Sequence, residues 1–316
     1  MNAPMRLMSL LAGIAFMGML ITGCDSKKQQ SDSIDKPNKG TIHISVDESY
    51  RPVIEEQIAM YEASNPETRI IADYKTEEAC IRDFFRDSAT RLVLITRGLK
   101  YNEESFMKDS LKYPPRWGLL AADAIAVISN RNNPDSMFTM DELRDRLLGK
   151  QKREQTLVFD GLSATSTYRF IRDSILKGAL PDSSVVKAAK TSQDVIDFIS
   201  ENPNAIGLVG ISWVGNPEIK EQVERLQKIR INYLRCDICP DQPFVKPVQE
   251  SIQSRRYPLV RGLYYVIKEN YHGLGNGFVD FLKYERGQLI FRRAYLGPIM
   301  NFDVRPVKIN LSLPKK

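Results

Sequence analysis

Short β-branched runs alternate with helical stretches along most of this chain, and that alternation narrows the possible folds more than any other feature. Residues 41–46 read as a strand, 52–64 as a helix with Pro52 in its first turn, and 69–74 as a second strand. A polar helix at 79–87 and a strand at 91–96 follow. The pattern resumes with a strand at 124–129. A helix then opens on the capping box Thr139-Met140-Asp141-Glu142 and stops at Gly149. Further strands are expected at 156–159 and 206–212, with helices at 167–177 and 191–200 between them. Parallel strands must be joined by long crossovers, usually helical, so the reading predicts an α/β chain built on a mostly parallel sheet. About 275 residues carry the pattern, enough for two lobes of ordinary size.

The N-terminal stretch points to a compartment. After Met5-Arg6 comes an apolar run at 7–21, closed by Thr22-Gly23-Cys24. The run is too short for a conventional membrane span, and it has the positive start, apolar middle and small-residue end of a secretory signal. Ile21-Thr22-Gly23-Cys24 resembles the lipobox of bacterial lipoproteins, which implies removal of 1–23, acylation of Cys24 and a membrane anchor. Almost nothing in 25–40 could be buried, so 24–40 is expected to be a tether. With 42% hydrophobic and 27% charged residues, the remainder has the balance of a soluble globular body. The formal charge of +6 is a mild cationic excess without a Lys/Arg stripe interleaved with aromatics, so nucleic acid is not an expected partner.

Cysteine use is sparse. Beyond Cys24 there are Cys80 and the C-x-x-C pair Cys236 and Cys239. One such pair lacks the second pair of ligands that a structural zinc needs. In an oxidising compartment a local disulfide is favoured, and no metal or other cofactor is expected.

Ligands of open parallel sheets sit beyond the carboxyl ends of strands. Three junctions there carry hydroxyls: Asp47-Glu48-Ser49-Tyr50 ahead of Pro52, Thr96-Arg97-Gly98, and the run from Asp160 to Thr165-Ser166-Thr167. Each hydroxyl taken singly could be a helix N-cap. Together, with an arginine among them, they suit an anion held by hydroxyls, amide N–H groups and one positive charge. The candidate ligand-binding residues are Asp47, Ser49, Tyr50, Thr96, Arg97, Thr165, Ser166 and Thr167.

Several longer segments resemble the phosphate-binding protein of phosphate ABC transporters, a type II periplasmic binding protein. Gly118 through Ile128, followed by Asn132-Asn133-Pro134, is similar to the family's strand between lobes. Phe138-Thr139-Met140 through Leu148-Gly149-Lys150 is similar to one of its helices. Asn202-Pro203-Asn204-Ala205-Ile206-Gly207-Leu208-Val209-Gly210 resembles a further segment, and Gly287-Gln288 through Leu296-Gly297-Pro298 resembles its closing helix. The resemblance implies a two-lobed α/β fold with two crossover strands, lobe 1 at 41–123 and 255–316 and lobe 2 at 124–254. It further implies an extracytoplasmic monomer that closes by a hinge on inorganic phosphate and delivers it to an ABC permease and its ATPase. The binding loops depart from the family. Ser49 and Tyr50 match its first loop, but Asp160 falls about where the family has an arginine before its third-loop hydroxyls, here Thr165-Ser166-Thr167. Thr76-Glu77-Glu78-Ala79 replaces a Gly-Ser-Ser-Gly turn. Arg97 is therefore expected to supply the positive charge.

A carboxylate in such a pocket accepts a hydrogen bond from protonated phosphate and repels sulfate. Asp47 is favoured for this role over Glu48, Glu77 and Asp160. Another oxyanion or polar metabolite, or a phosphate-sensing envelope lipoprotein, are the competing readings. Catalysis is not expected: His43 and His272 have no nucleophilic elbow beside them. Gly273-Leu274-Gly275-Asn276-Gly277 reads as a turn before a helix starting near Phe278. Trp117, Trp213, Tyr264 and Tyr265 read as core and hinge packing.

Overall fold

A computed structural model of the chain describes residues 35–151, 155–161 and 165–302. The first 23 residues and Cys24 lie outside them, as do Leu162, Ser163 and Ala164. Among the described residues no helix is long and apolar enough to cross a membrane.

The strands in chain order are β1 (Lys39–Asp47), β2 (Glu67–Lys75), β3 (Thr90–Ile95), β4 (Arg116–Asn130), β5 (Met137–Phe138), β6 (Thr156–Asp160) and β7 (Val186–Ala189). They continue with β8 (Ala205–Gly210), β9 (Ile229–Ile231), β10 (Tyr233–Arg235), β11 (Phe244–Val245), β12 (Val260–Ile267) and β13 (Gly297–Pro298). Ten of them form one sheet in the order β2-β1-β3-β12-β4-β8-β6-β7, with β13 and β9 paired to β4. The flanking triplets β2-β1-β3 and β8-β6-β7 are parallel, as the alternation predicts. The middle is not: β12 runs antiparallel to both β3 and β4, and β4 antiparallel to β8. β11, β10 and β5 form a separate small sheet.

β4 joins the two halves of the sheet. Its residues up to Ala124 pair with β12, whereas Ile125 to Ser129 pair with β8. From Leu120 to Asn130 the strand is buried apart from half-buried Ala122, which fits a central strand covered on both faces. In the first half the period-2 alternation divides β3 between two cores. Leu92 and Leu94 join the main core with Ile42, Ile44 and Ile54. Val93 and Ile95 join a smaller cluster with Cys80, Phe84 and Met107. The helices Arg51–Ser64 and Leu274–Lys283 contribute to the first, and Glu77–Arg86 and Tyr101–Leu111 to the second.

Several local expectations are refined. The capping box at Thr139 forms, with Glu142 N–H donating to Thr139 Oγ1 at 3.1 Å and Thr139 N–H donating to Glu142 Oε2 at 2.8 Å. The helix expected at 167–177 is the α-helix Ser166–Phe170 continued by a wider π turn, Ile171–Ile175. The helix expected near Phe278 begins at Leu274, because the buried Glu269 carboxylate accepts from the N–H groups of Gly275 and Asn276 and caps it. Gly277 then lies inside the helix, where a β-carbon would stand 2.5 Å from Pro37 Cβ. β1 begins at Lys39, within the stretch expected as a tether. Cys236 and Cys239 form a disulfide, and Cys80 is a buried free thiol. Trp117, expected in a core, is 40% exposed against Gly98 and Tyr264.

Candidate functional site

At the end of β1 the chain turns through a short 3-10 helix, Glu48–Tyr50, into the helix Arg51–Ser64. The Asp47 carboxylate organises that turn by accepting from Ser49 N–H at 2.9 Å. From the other half of the sheet, Ser212 Oγ and Trp213 Nε1 donate to the Ser49 carbonyl at 3.2 and 3.0 Å, fixing its position. Tyr50 is wholly buried and its hydroxyl donates to the Gly262 carbonyl on β12 at 2.9 Å.

The third junction meets the first. β6 ends on Asp160. Thr165 caps the helix Ser166–Phe170, accepting from Tyr168 N–H at 3.3 Å and donating to the Asp160 carbonyl at 2.6 Å. That cap brings the Ser166 hydroxyl to 3.1 Å from the Ser49 hydroxyl. Arg261 Nη1 donates to Ser166 Oγ at 3.0 Å, while its Nε donates to Asp123 Oδ2 at 2.7 Å. Arg261 and Asp123 are direct register partners on β12 and β4, and the guanidinium lies 5.4 Å from the centre of the Tyr50 ring.

All of these groups are buried, and not all are satisfied. Among the described residues Arg261 Nη2, Thr167 Oγ1, Asp47 Oδ2, Asp160 Oδ1 and Asp123 Oδ1 have no hydrogen-bond partner. Buried polar atoms normally find partners, so this concentration of unmatched donors and acceptors singles the cluster out as the candidate site.

The electrostatics follow from burial with little positive charge. Burial, and then Glu77, push the Asp47 carboxyl up to about 6 against the pull of Arg261. Burial, and then Asp47, push Asp160 up to about 7, with the Thr167 hydroxyl and Arg261 opposing. Asp123 is raised by burial against the pull of Arg261. Burial works against the charge of Arg261, but Tyr50, Asp123 and Asp47 outweigh it and hold the guanidinium protonated.

The remaining candidates lie elsewhere. Thr96 donates through its N–H at 3.0 Å and through its hydroxyl to Glu77 Oε1, and Arg169 donates to both Glu77 Oε2, at 2.6 Å, and Thr96 Oγ1. Thr96 thus belongs to a saturated cluster that ties the helix Ser166–Phe170 to the first half of the sheet. Arg97 is bound through both Nη atoms to Glu103 at 2.7 and 2.8 Å, so its charge is already matched. The arginine at the hydroxyls is Arg261, and Asp123 is its counter-ion. Sequence reading missed both, although a charged residue inside each of the apolar runs around Asp123 and Arg261 was a signal that two buried charges must pair.

The family model described as a PBP superfamily domain matches residues 31–285. The chain belongs to this superfamily. It has the type II periplasmic binding protein fold, and solved structures agree. A substrate-binding protein of the phosphate ABC transporter type from Clostridium perfringens, with bound phosphate, is 19% identical with a TM-score of 0.67, covering 83% of this chain and 100% of its own. An ABC-type phosphate transport receptor from Vibrio cholerae is 15% identical with a TM-score of 0.58, covering 82% and 100%. The CcmR regulatory domain of Synechocystis in complex with 2-PG is 11% identical with a TM-score of 0.53, covering 77% and 96%. At these identities the likeness concerns the fold. No curated protein matches the sequence.

Proposed function

We propose that this PBP superfamily member is an extracytoplasmic lipoprotein that binds inorganic phosphate between the β1 and β6 junctions and hands it to an ABC permease and its ATPase. The observation carrying this reading is the buried cluster in which Arg261 Nη2 and the hydroxyls of Ser49, Ser166 and Thr167 stand beside the unpartnered oxygens of Asp47 and Asp160. Donors surround a tetrahedral anion, and carboxyl oxygens meet its proton, which sulfate lacks. The solved relatives described with phosphate support the same ligand. The lipobox-like Ile21-Thr22-Gly23-Cys24 supports the anchor.

Bound phosphate in purified, tag-free protein, together with competition dialysis against sulfate and molybdate, tests the ligand. Phosphate should be retained and displaced by neither. Ser166→Ala removes the hydroxyl shared by Ser49 and Arg261 and should weaken phosphate binding about tenfold or more. A chain that binds no phosphate, or binds sulfate equally, ends the reading. Cys24→Ser should move the protein from the membrane fraction to the soluble one.

A further inference from the structure

The balance of charge in the cluster says more about the ligand than its hydroxyls do. Arg261 is the cation in contact with them, and Asp123 neutralises it through a 2.7 Å hydrogen bond. Arg169, on the same helix as Ser166, is bound to Glu77 at 2.6 Å. Two more carboxyls remain, one from each half of the sheet. Asp47 and Asp160 each keep a buried oxygen without a partner, and each raises the cost of ionising the other. The groups around them compensate only in part. Arg261 favours the charged form of both, helped by the Ser166 hydroxyl and Ser49 N–H at Asp47 and by the Thr167 hydroxyl at Asp160. Burial outweighs them, with Glu77 adding to it at Asp47 and Glu48 at Asp160. Tyr50 and the buried Cys80 thiol also lie near Asp47. Glu48 itself is engaged by Ser192 Oγ at 2.9 Å.

An anion held among these groups would meet two acceptor oxygens that repel it unless a proton stands between each pair of oxygens. Resting on the phosphate reading above, we infer that the oxyanion is held through two carboxyl–oxyanion hydrogen bonds, one to Asp47 and one to Asp160, each enclosing a proton. The ligand class is then a weak-acid tetrahedral oxyanion carrying its protons, phosphate in the dihydrogen form or arsenate likewise. Asp160 is the residue that makes the requirement two protons instead of one. The raised pKa of both acids points the same way, since an anion placed between them would make them harder still to ionise.

The consequence is a proton count. Above the second ionisation of phosphate the free anion brings one proton and the free carboxyls none, so the complex must take up another from solvent. Each proton taken up weakens binding about tenfold per pH unit as pH rises. In Asp160→Asn the anion's own proton suffices for Asp47, and the slope disappears.

The test is the phosphate dissociation constant from about pH 7.5 to about pH 8.5, measured by calorimetry in two buffers of different ionisation heat so that protons are counted directly. The native protein should lose about tenfold in affinity per pH unit and take up about one proton. Asp160→Asn should bind with a slope near zero and take up none. Should Asp160→Asn fail to fold, the buffer comparison on the native chain decides alone. Phosphate binding with no proton uptake, or with the same uptake in Asp160→Asn, overturns the two-proton site and leaves the phosphate reading intact. Absence of phosphate binding at any pH removes the reading on which it rests.

Discussion

Replacing Asp160 with Asn should stabilise the phosphate-free protein, and by an amount that grows with pH. In an unfolded chain this carboxyl ionises near its ordinary 3.8, whereas in the folded chain burial and Asp47 push it up to about 7. Below 3.8 both states hold the proton and the acid is neutral to stability. As pH rises the unfolded chain releases its proton first, so folding loses ground until pH passes about 7, after which the loss is constant. A pKa gap of this size corresponds to ~4 kcal/mol at pH 8, and to less than half of that near pH 5. Asparagine fills the same volume and never ionises, so its advantage over the native residue should grow by ~1 to 3 kcal/mol between those two pH values. The lower figure allows for relaxation of the site around the charge. Urea unfolding of phosphate-free protein at about pH 5 and about pH 8 measures this directly, provided the m-values agree. In a thermal scan the same gain corresponds to several degrees of Tm. An advantage that is constant across the two pH values, or a variant less stable than the native chain at the higher one, would refute the buried and uncompensated state of Asp160.

Arg97→Ala should leave phosphate affinity within about threefold of native in equilibrium dialysis and lower stability by ~1 kcal/mol, because the partners of Arg97 are Glu103 and the Gly98 carbonyl and none of the buried hydroxyls. Arg261→Ala should abolish detectable phosphate binding and cost ~3 to 5 kcal/mol in urea unfolding, since it strands Asp123 at full burial. Arg261→Lys keeps the charge and loses the fork that reaches Asp123 and Ser166 together, so it should retain more stability than affinity.

What the sequence disclosed follows from the range over which each interaction acts. Ser49 and Ser166 could be found because each lies just past a strand and at the start of a helix, a pattern local in sequence. The flanking parallel triplets could be found because every residue of β3 or β6 carries the signature of its own burial. The pairing of Arg261 with Asp123 could not: the two are 138 residues apart and meet only through the antiparallel register of β12 on β4. Arg97 misled for the converse reason. It stands at a strand end like a ligand-binding arginine, and only the helix Tyr101–Leu111, whose sequence YNEESFMKDSL buries little beyond Met107, brings Glu103 back to neutralise it. That helix was itself missed, because its apolar residues Tyr101, Phe106, Met107 and Leu111 form no clear helical stripe.

The position of Arg261 also bears on how closing and binding would be linked. β4 and β12 are the strands at which pairing passes from one half of the sheet to the other, and the Arg261–Asp123 pair sits one register step from that change of partner. The hydroxyls and free carboxyls come from either side of it, Asp47 and Ser49 from the β1 junction, Asp160 and Ser166 from the β6 junction. Bringing the junctions together unites two hydroxyls, which is mildly favourable, and two acids, which is costly once either ionises. If the two junctions close on phosphate as proposed, the pair of acids would resist closing, more so at higher pH, and a protonated oxyanion would reverse the sign by turning both carboxyls into partners. A ligand shifts such an equilibrium only by the difference in its affinity for the two states, and on the proposed reading that difference would reside in the protons. Removing Asp160 would therefore weaken the discrimination between protonated and unprotonated anions even as it made the empty fold more stable.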